Sequence, residues 1–227
     1  QLHELERRIL LETPWSVLDT NKLFTMRYPT EANAPLRPSK PVSPKKKKRR
    51  NTKHKEKKEA LNLRQIEISD TALLDCEQIA HGTYSPISGF MDKQTVNSVL
   101  NNYALPDGTI WTMPILLPIS QSEFKKVNVG EKIGLKGKDG VLYATLKVSE
   151  LFELELKDLA LRFFSTISTE HPGVARLFEE GGSFIAGEIH LLKRQPSSRR
   201  YYELTPAECR FIFSNKGWSQ IVGFHTR

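Results

Sequence analysis

The residues best suited to chemistry sit together at the end of the 227-residue chain, where the apolar run Ile221, Val222 and Phe224 is followed by His225, Thr226 and Arg227. An arginine at the carboxyl end of a strand presents a planar fork of donors that suits phosphate or sulfate better than a lysine does. The neighbouring imidazole and hydroxyl add further donors, so the triplet has the makings of one edge of an anion pocket. A strand leaving a core also ends in polar residues for no reason but solvation. Residue types alone leave both readings open.

Other polar residues carry weaker signals. His81, His171 and His190 are scattered without the spacing of a metal site, and His171 before Pro172 reads as a turn or cap residue. Glu179 and Glu180 are adjacent, point to different helix faces and make a poor acid–base pair. Glycines 130, 134, 137 and 140 lie among strand residues with no Gly-Lys-Ser/Thr ending, so they read as turn glycines. Cys76 and Cys209 form neither a Cys-x-x-Cys pair nor a Cys/His array, which predicts a reducing compartment without a disulfide or zinc. Trp111 and Trp218 are expected in the core.

The net charge of +8 is a property of one tract. Residues 45–58 hold ten Lys/Arg against one Glu, a local charge of +9, which leaves −1 for everything else. No domain face is therefore expected to be basic, and no aromatic residue interleaves the lysines to stack on bases. Nucleic acid is not an expected partner. No apolar run reaches the ~20 residues of a membrane span, and Gln1 opens a polar helical pattern, so the expectation is a soluble cytoplasmic protein. Nuclear import is the one other address the basic tract suggests.

Several elements must position the terminal triplet. Residues 1–27, with Leu2, Leu5, Ile9 and Leu10 on one helical face before Pro14, read as the tail of an upstream domain or a docking element. Residues 28–62, Pro-rich and then polybasic, are expected to be a disordered linker. From Leu63 the composition becomes globular. The pattern predicts a strand RQIEIS and a helix DTALLDCEQIAH with Asp70 as candidate cap and Gly82 as stop. A second helix follows through Val96, Val99 and Leu100. Strands are expected over 109–120, over GEKIGLKG and over GVLYATLKVSELFEL, the last two joined by a turn at Lys138–Gly140. DLALRFFS and EHPGVARLFEE read as helical and SFIAGEIHLL as a strand. Thr205 caps a final helix that has Pro206 first and Gly217 at its end, and a strand over 219–224 follows. Short strands divided by turns suggest a small β-barrel; a helix feeding an apolar strand suggests the opening of an α/β sheet, whose ligands bind beyond the carboxyl ends of its strands.

Six ordered blocks then carry a resemblance: GTYSPISGFM (82–91), DGTIWTMPILLPIS (107–120), EHPGV (170–174), GSFIAGEI (182–189), LTPAECRFIFSNKGW (204–218) and IVGFHTR (221–227). Together they resemble the ATP sulfurylase (sulfate adenylyltransferase) family over Leu63–Arg227. The resemblance implies an α+β chain. Residues 63–195 would be a PUA-like β-barrel domain, and 196–227 the truncated beginning of a Rossmann-like catalytic domain. It implies transfer of the adenylyl group of Mg2+-bound ATP to sulfate, with adenosine 5′-phosphosulfate and pyrophosphate as products, and it implies a homo-oligomer with a fused upstream kinase-like domain. In that family the first catalytic strand ends in Gln-x-Arg-Asn, followed by His-x-x-His. By that alignment His225 takes the glutamine position and binds substrate, Thr226 is catalytic, and Arg227 holds sulfate.

The departures from the family pattern set further expectations. His225 in place of glutamine implies a pH dependence near neutrality that glutamine-bearing relatives lack. FFSTIST (163–169) replaces a glycine-containing stretch. The asparagine and the two histidines are not in this sequence, so the 227-residue polypeptide alone is expected to be inactive. The alternative is a non-catalytic PUA-like module that binds RNA through its polybasic arm or serves as a scaffold, since a fold does not fix a function.

Overall fold

The alternation at Gln65–Glu67, with Ile66 buried between two more exposed neighbours, forms a three-residue strand, β1. It opens the fold in a computed structural model that describes residues 58–198, 200 and 202–223. All of these belong to the unit Arg50–Arg227. The readings of residues 1–27, of the linker through residue 57, and of Phe224 onward lie outside the described residues. Residues 58–61 form a helical turn with Ala60 buried.

Helix α1 (Asp70–His81) starts one residue earlier than its sequence suggested. Ser69, not Asp70, is the cap, its hydroxyl accepting from Ala72 N at 3.2 Å. Asp70 sits in the first turn, where a carboxylate favours the positive end of the helix dipole. The stop at Gly82 is as expected, with φ +76 and its N–H returned to the carbonyls of Gln78 and Ile79. Strand β2 (Gly89–Phe90) and helix α2 (Lys93–Asn102) follow, the helix capped by Asp92 and burying Val96 and Val99.

A short helix α3 (Gln121–Phe124) leads to β3 (Lys132–Lys136) and β4 (Leu142–Glu153). The turn between β3 and β4 is the one read at Lys138–Gly140. Gly137 N and Gly140 N bond Val141 O and Gly137 O, and Asp139 accepts from both Val141 N and the Tyr143 hydroxyl. Helices α4 (Leu156–Phe164) and α5 (Pro172–Glu180) precede β5 (Ser183–Leu191), and α6 (Pro206–Asn215) follows it.

The sheet runs β1-β3-β4-β5-β2, parallel at β1·β3 and antiparallel elsewhere. Its centre is the long β4·β5 ladder, bulged between Val148 and Glu150. The core lies on this ladder and includes Leu146, Val148, Phe152, Phe184, Ile185, Leu73, Val96 and Val99.

Four expectations need correction. Among the described residues the strands form one five-stranded sheet with β1 and β2 at its ends, where a small β-barrel was expected. The stretch 109–120 is extended, with Ile115, Leu117 and Ile119 buried in alternation, but among the described residues it is bridged only at Ile110 and Pro118. Pro114 and Pro118 remove the donors a ladder needs, so its pairing with β5 reduces to Ile119 N on Ser183 O and Ile185 N on Leu117 O. The described part of the last expected strand, residues 219–223, is irregular. Ile221 is 49% and Val222 77% exposed, because no described strand lies beside it to complete a ladder. Trp218 is likewise 40% exposed against Phe213, whereas Trp111 packs on the core as expected.

Candidate functional site

His225, Thr226 and Arg227 lie outside the described residues, so the site is reached through the elements that lead to them. Helix α6 starts as its sequence indicated. Thr205 Oγ1 accepts from Glu208 N at 3.3 Å, the Glu208 carboxylate returns to Thr205 N at 2.8 Å, and Pro206 occupies the first turn. Helix α6 contributes no buried residue, and Phe211 is 68% exposed.

Between β5 and α6 the chain folds around a buried carboxylate that sequence reasoning missed. Glu77, on the inner side of α1, is only 5% exposed. Its Oε2 accepts from Arg194 Nε at 2.8 Å and its Oε1 from the backbone N–H of Gln195, while Arg200 Nη1 lies 3.7 Å from Oε2. Arg194 Nη2 donates to Glu203 at 2.9 Å, Ser197 Oγ to Glu203 at 2.8 Å, and Arg200 Nη2 to the Gln195 carbonyl. These groups line a cleft of about 430 Å³ together with His81 and Thr205. Two guanidiniums face two carboxylates, so the charges cancel, and the arrangement can fix a backbone better than it can recruit an ion. Burial and the nearby Arg194 hold the His81 imidazole below its usual range. The one visible signal was an acidic residue beside Cys76 on the apolar face of a helix.

A second cleft of about 430 Å³ is lined by Pro86–Asp92, Leu105–Asp107, Ser149, Gly187 and Glu188, so the GTYSPISGFM block ends up along its wall. Its floor depends on two glycines: a methyl group at Gly89 would overlap the carbonyl of Gly187 across the β2·β5 pair.

The remaining candidates are structural. His171 caps α5, its Nδ1 accepting from Gly173 N at 3.2 Å. Among the described residues no group of three His, Cys, Asp or Glu is placed to hold a metal. Glu180 does not pair with Glu179; it stands near Asp75 on α1. Burial pushes the Asp75 carboxyl up to about 6, donation from the Tyr84 hydroxyl at 3.2 Å offsets part of that, and Glu180 adds to it. Burial also pushes the Cys76 thiol up to about 12.

The model of the PUA-like domain matches residues 37–194, ending at the arginine that grips Glu77. The chain belongs to the PUA-like domain family. Two relatives extend beyond this PUA-like domain. The sulfate adenylyltransferase of Persephonella marina is 37% identical over 172 residues, 74% of this chain and 44% of that protein. A Sorangium cellulosum protein named "Probable bifunctional SAT/APS kinase 2" is 36% identical over 163 residues, 71% of this chain and 28% of its own. The chain thus spans less than half the length of these relatives. The fold is also similar to that of a solved structure named "Hexameric APS kinase from Thiobacillus denitrificans", with a TM-score of 0.56 and 24% identity over 74% of this chain and 29% of that one. No helix among the described residues is long and apolar enough to cross a membrane.

Proposed function

We propose that the chain is the amino-terminal part of a sulfate adenylyltransferase. The observation that carries this reading is the alignment with relatives of that name over more than 70% of the chain, at 37% identity in one case. A PUA-like domain leads into the first helix of a Rossmann-like catalytic domain, α6, and then into the sulfate-gripping triplet. In the reaction a sulfate oxygen attacks the α-phosphorus of ATP, the bond to the β-phosphate bridging oxygen breaks, and adenosine 5′-phosphosulfate and pyrophosphate form. Mg2+ enters with ATP as part of the substrate.

Such a transfer asks the protein to hold two mutually repelling anions in line and to stabilise charge on the phosphoryl oxygens. Arg227 performs the first task through its two-pronged donors, Thr226 donates to the developing charge, and His225 donates to sulfate where a glutamine amide would. A fused upstream kinase-like domain and a homo-oligomeric, cytoplasmic enzyme belong to the same reading. The bifunctional relative and the hexameric fold neighbour support the first two.

The test is sulfate-dependent exchange between ATP and labelled pyrophosphate, in a polypeptide carrying this chain through to the carboxyl terminus of its gene. Exchange is expected, and Arg227→Ala should lower it about a hundredfold, the scale of losing one transition-state donor. Absence of exchange in the unsubstituted protein, or full activity in the variant, overturns the assignment.

A further inference from the structure

We infer that Glu77 is a positioning residue: it fixes the direction in which the chain leaves the PUA-like domain and so holds α6 in one orientation. The link to the reaction, through the triplet that follows α6, rests on the function proposed above; the geometric role does not.

The exit path is held in two stages. The carbonyl of Tyr143 in β4 first takes the N–H groups of Leu192 and Lys193 at 2.8 and 3.0 Å, carrying the end of β5 to the limit of the sheet. Glu77 then takes over at the next two residues, with a side-chain donor from Arg194 and a main-chain donor from Gln195. The domain match ends at Arg194, so a carboxylate buried inside the domain is bonded to the first residue beyond it.

The stretch beyond is closed on itself. Arg200 returns to the carbonyl of Gln195, and Glu203 is gripped by Arg194 and Ser197. Thr205, two residues after Glu203, starts α6. Helix α6 has no fully buried residue, Cys209, Ile212 and Phe213 being half-buried. The buried clamp at its root therefore bears on its direction. An exposed ion pair would hold nothing so firmly, but Glu77 has a side-chain exposure of only 6%, and removing it would leave two guanidiniums sharing the single, more exposed carboxylate of Glu203.

The test uses spin labels in the full chain, one at Cys209 on α6 and one at Leu161→Cys, a 57% exposed position on α4. Cys76 is fully buried and is not labelled. The distance distribution should be narrow. Glu77→Ala should at least double its width, and Glu77→Gln, which keeps an acceptor for Gln195 N–H but loses the charge, should broaden it less. Lys126→Ala, which breaks an exposed pair with Glu123, should leave it unchanged. If Glu77→Ala does not fold, Arg194→Ala disturbs the same clamp from the half-exposed side and should broaden the distribution with the thermal midpoint of the core kept. Unchanged widths in folded Glu77→Ala or Arg194→Ala overturn the proposal.

In the extended polypeptide, Arg194→Ala and Glu77→Gln should lower kcat for exchange about tenfold while the KM for ATP stays within about twofold. Broadened distances with undiminished exchange overturn the link to the reaction. If the unsubstituted protein catalyses no exchange, the proposed function falls while the positioning role is still decided by the distances.

Discussion

Asp75 illustrates how a single carboxyl can set the acid behaviour of the fold. Its folded pKa of about 6, raised chiefly by burial, lies above that of the unfolded chain, so the native state holds a proton that the unfolded state gives up. Its contribution is present below about pH 4 and is lost as pH rises through 6. Asp75→Asn keeps an acceptor for the Tyr84 hydroxyl and removes the titration. Urea unfolding at pH 7.5 should find the variant more stable by on the order of 1 kcal/mol after discounting for solvent screening. Between pH 4 and 6 its stability should fall less than that of the parent; parallel curves would show that Asp75 titrates normally.

Gly89 acts through space alone, since its neighbour across the ladder is a backbone carbonyl that cannot rotate away. Gly89→Ala should cost about 3 kcal/mol in the same measurement, in the range of overpacked sites, and a cost under about 1 kcal/mol would mean that β2 can slide off β5.

At the level of elements, local chemistry was legible wherever one residue decides the outcome. Gly82, the Lys138–Gly140 turn, His171 before Pro172, and Thr205 with Pro206 all act within a few positions of themselves, and their elements begin or end where expected. What escaped depends on distant partners. Residues 109–120 alternate like a strand but lack the donors to pair as one, and the described residues 219–223 have no strand beside them. Glu77 gave a visible oddity, yet its partners lie more than a hundred positions away. Because α6 starts on a capping box and has no fully buried residue, Thr205→Ala should cost it about 1 kcal/mol. Amide exchange over Pro206–Asn215 should then speed up about fivefold with the core melting point unmoved; no change would mean that other contacts hold the helix.

For the whole molecule, stability should be graded from the sheet outward. Strands β4 and β5 share the longest ladder and hold nine buried apolar residues of the core, whereas α6 has none that is fully buried. Hydrogen-exchange mass spectrometry of the full chain should find the slowest amides in Leu142–Glu153 and Ser183–Leu191, and α6 among the fastest of the described helices. Equal protection in α6 and β4 would contradict the grading. The candidate site follows the same division. The elements leading to it could be read from caps and periodicity, and its family from ordered blocks, but the clamp that aims them is a tertiary fact.

The strand order has a consequence for biosynthesis. β5 stands between β4 and β2, though it is made last of the five, and β1 must wait for β3, made some seventy residues later. Loops of that length close slowly. A nascent chain can pair β1, β3 and β4 once Glu153 has emerged, but β2 has no partner and the longest ladder no second strand until Leu191 is clear of the exit tunnel. Until then the apolar face that β5 will cover stays open to misassociation.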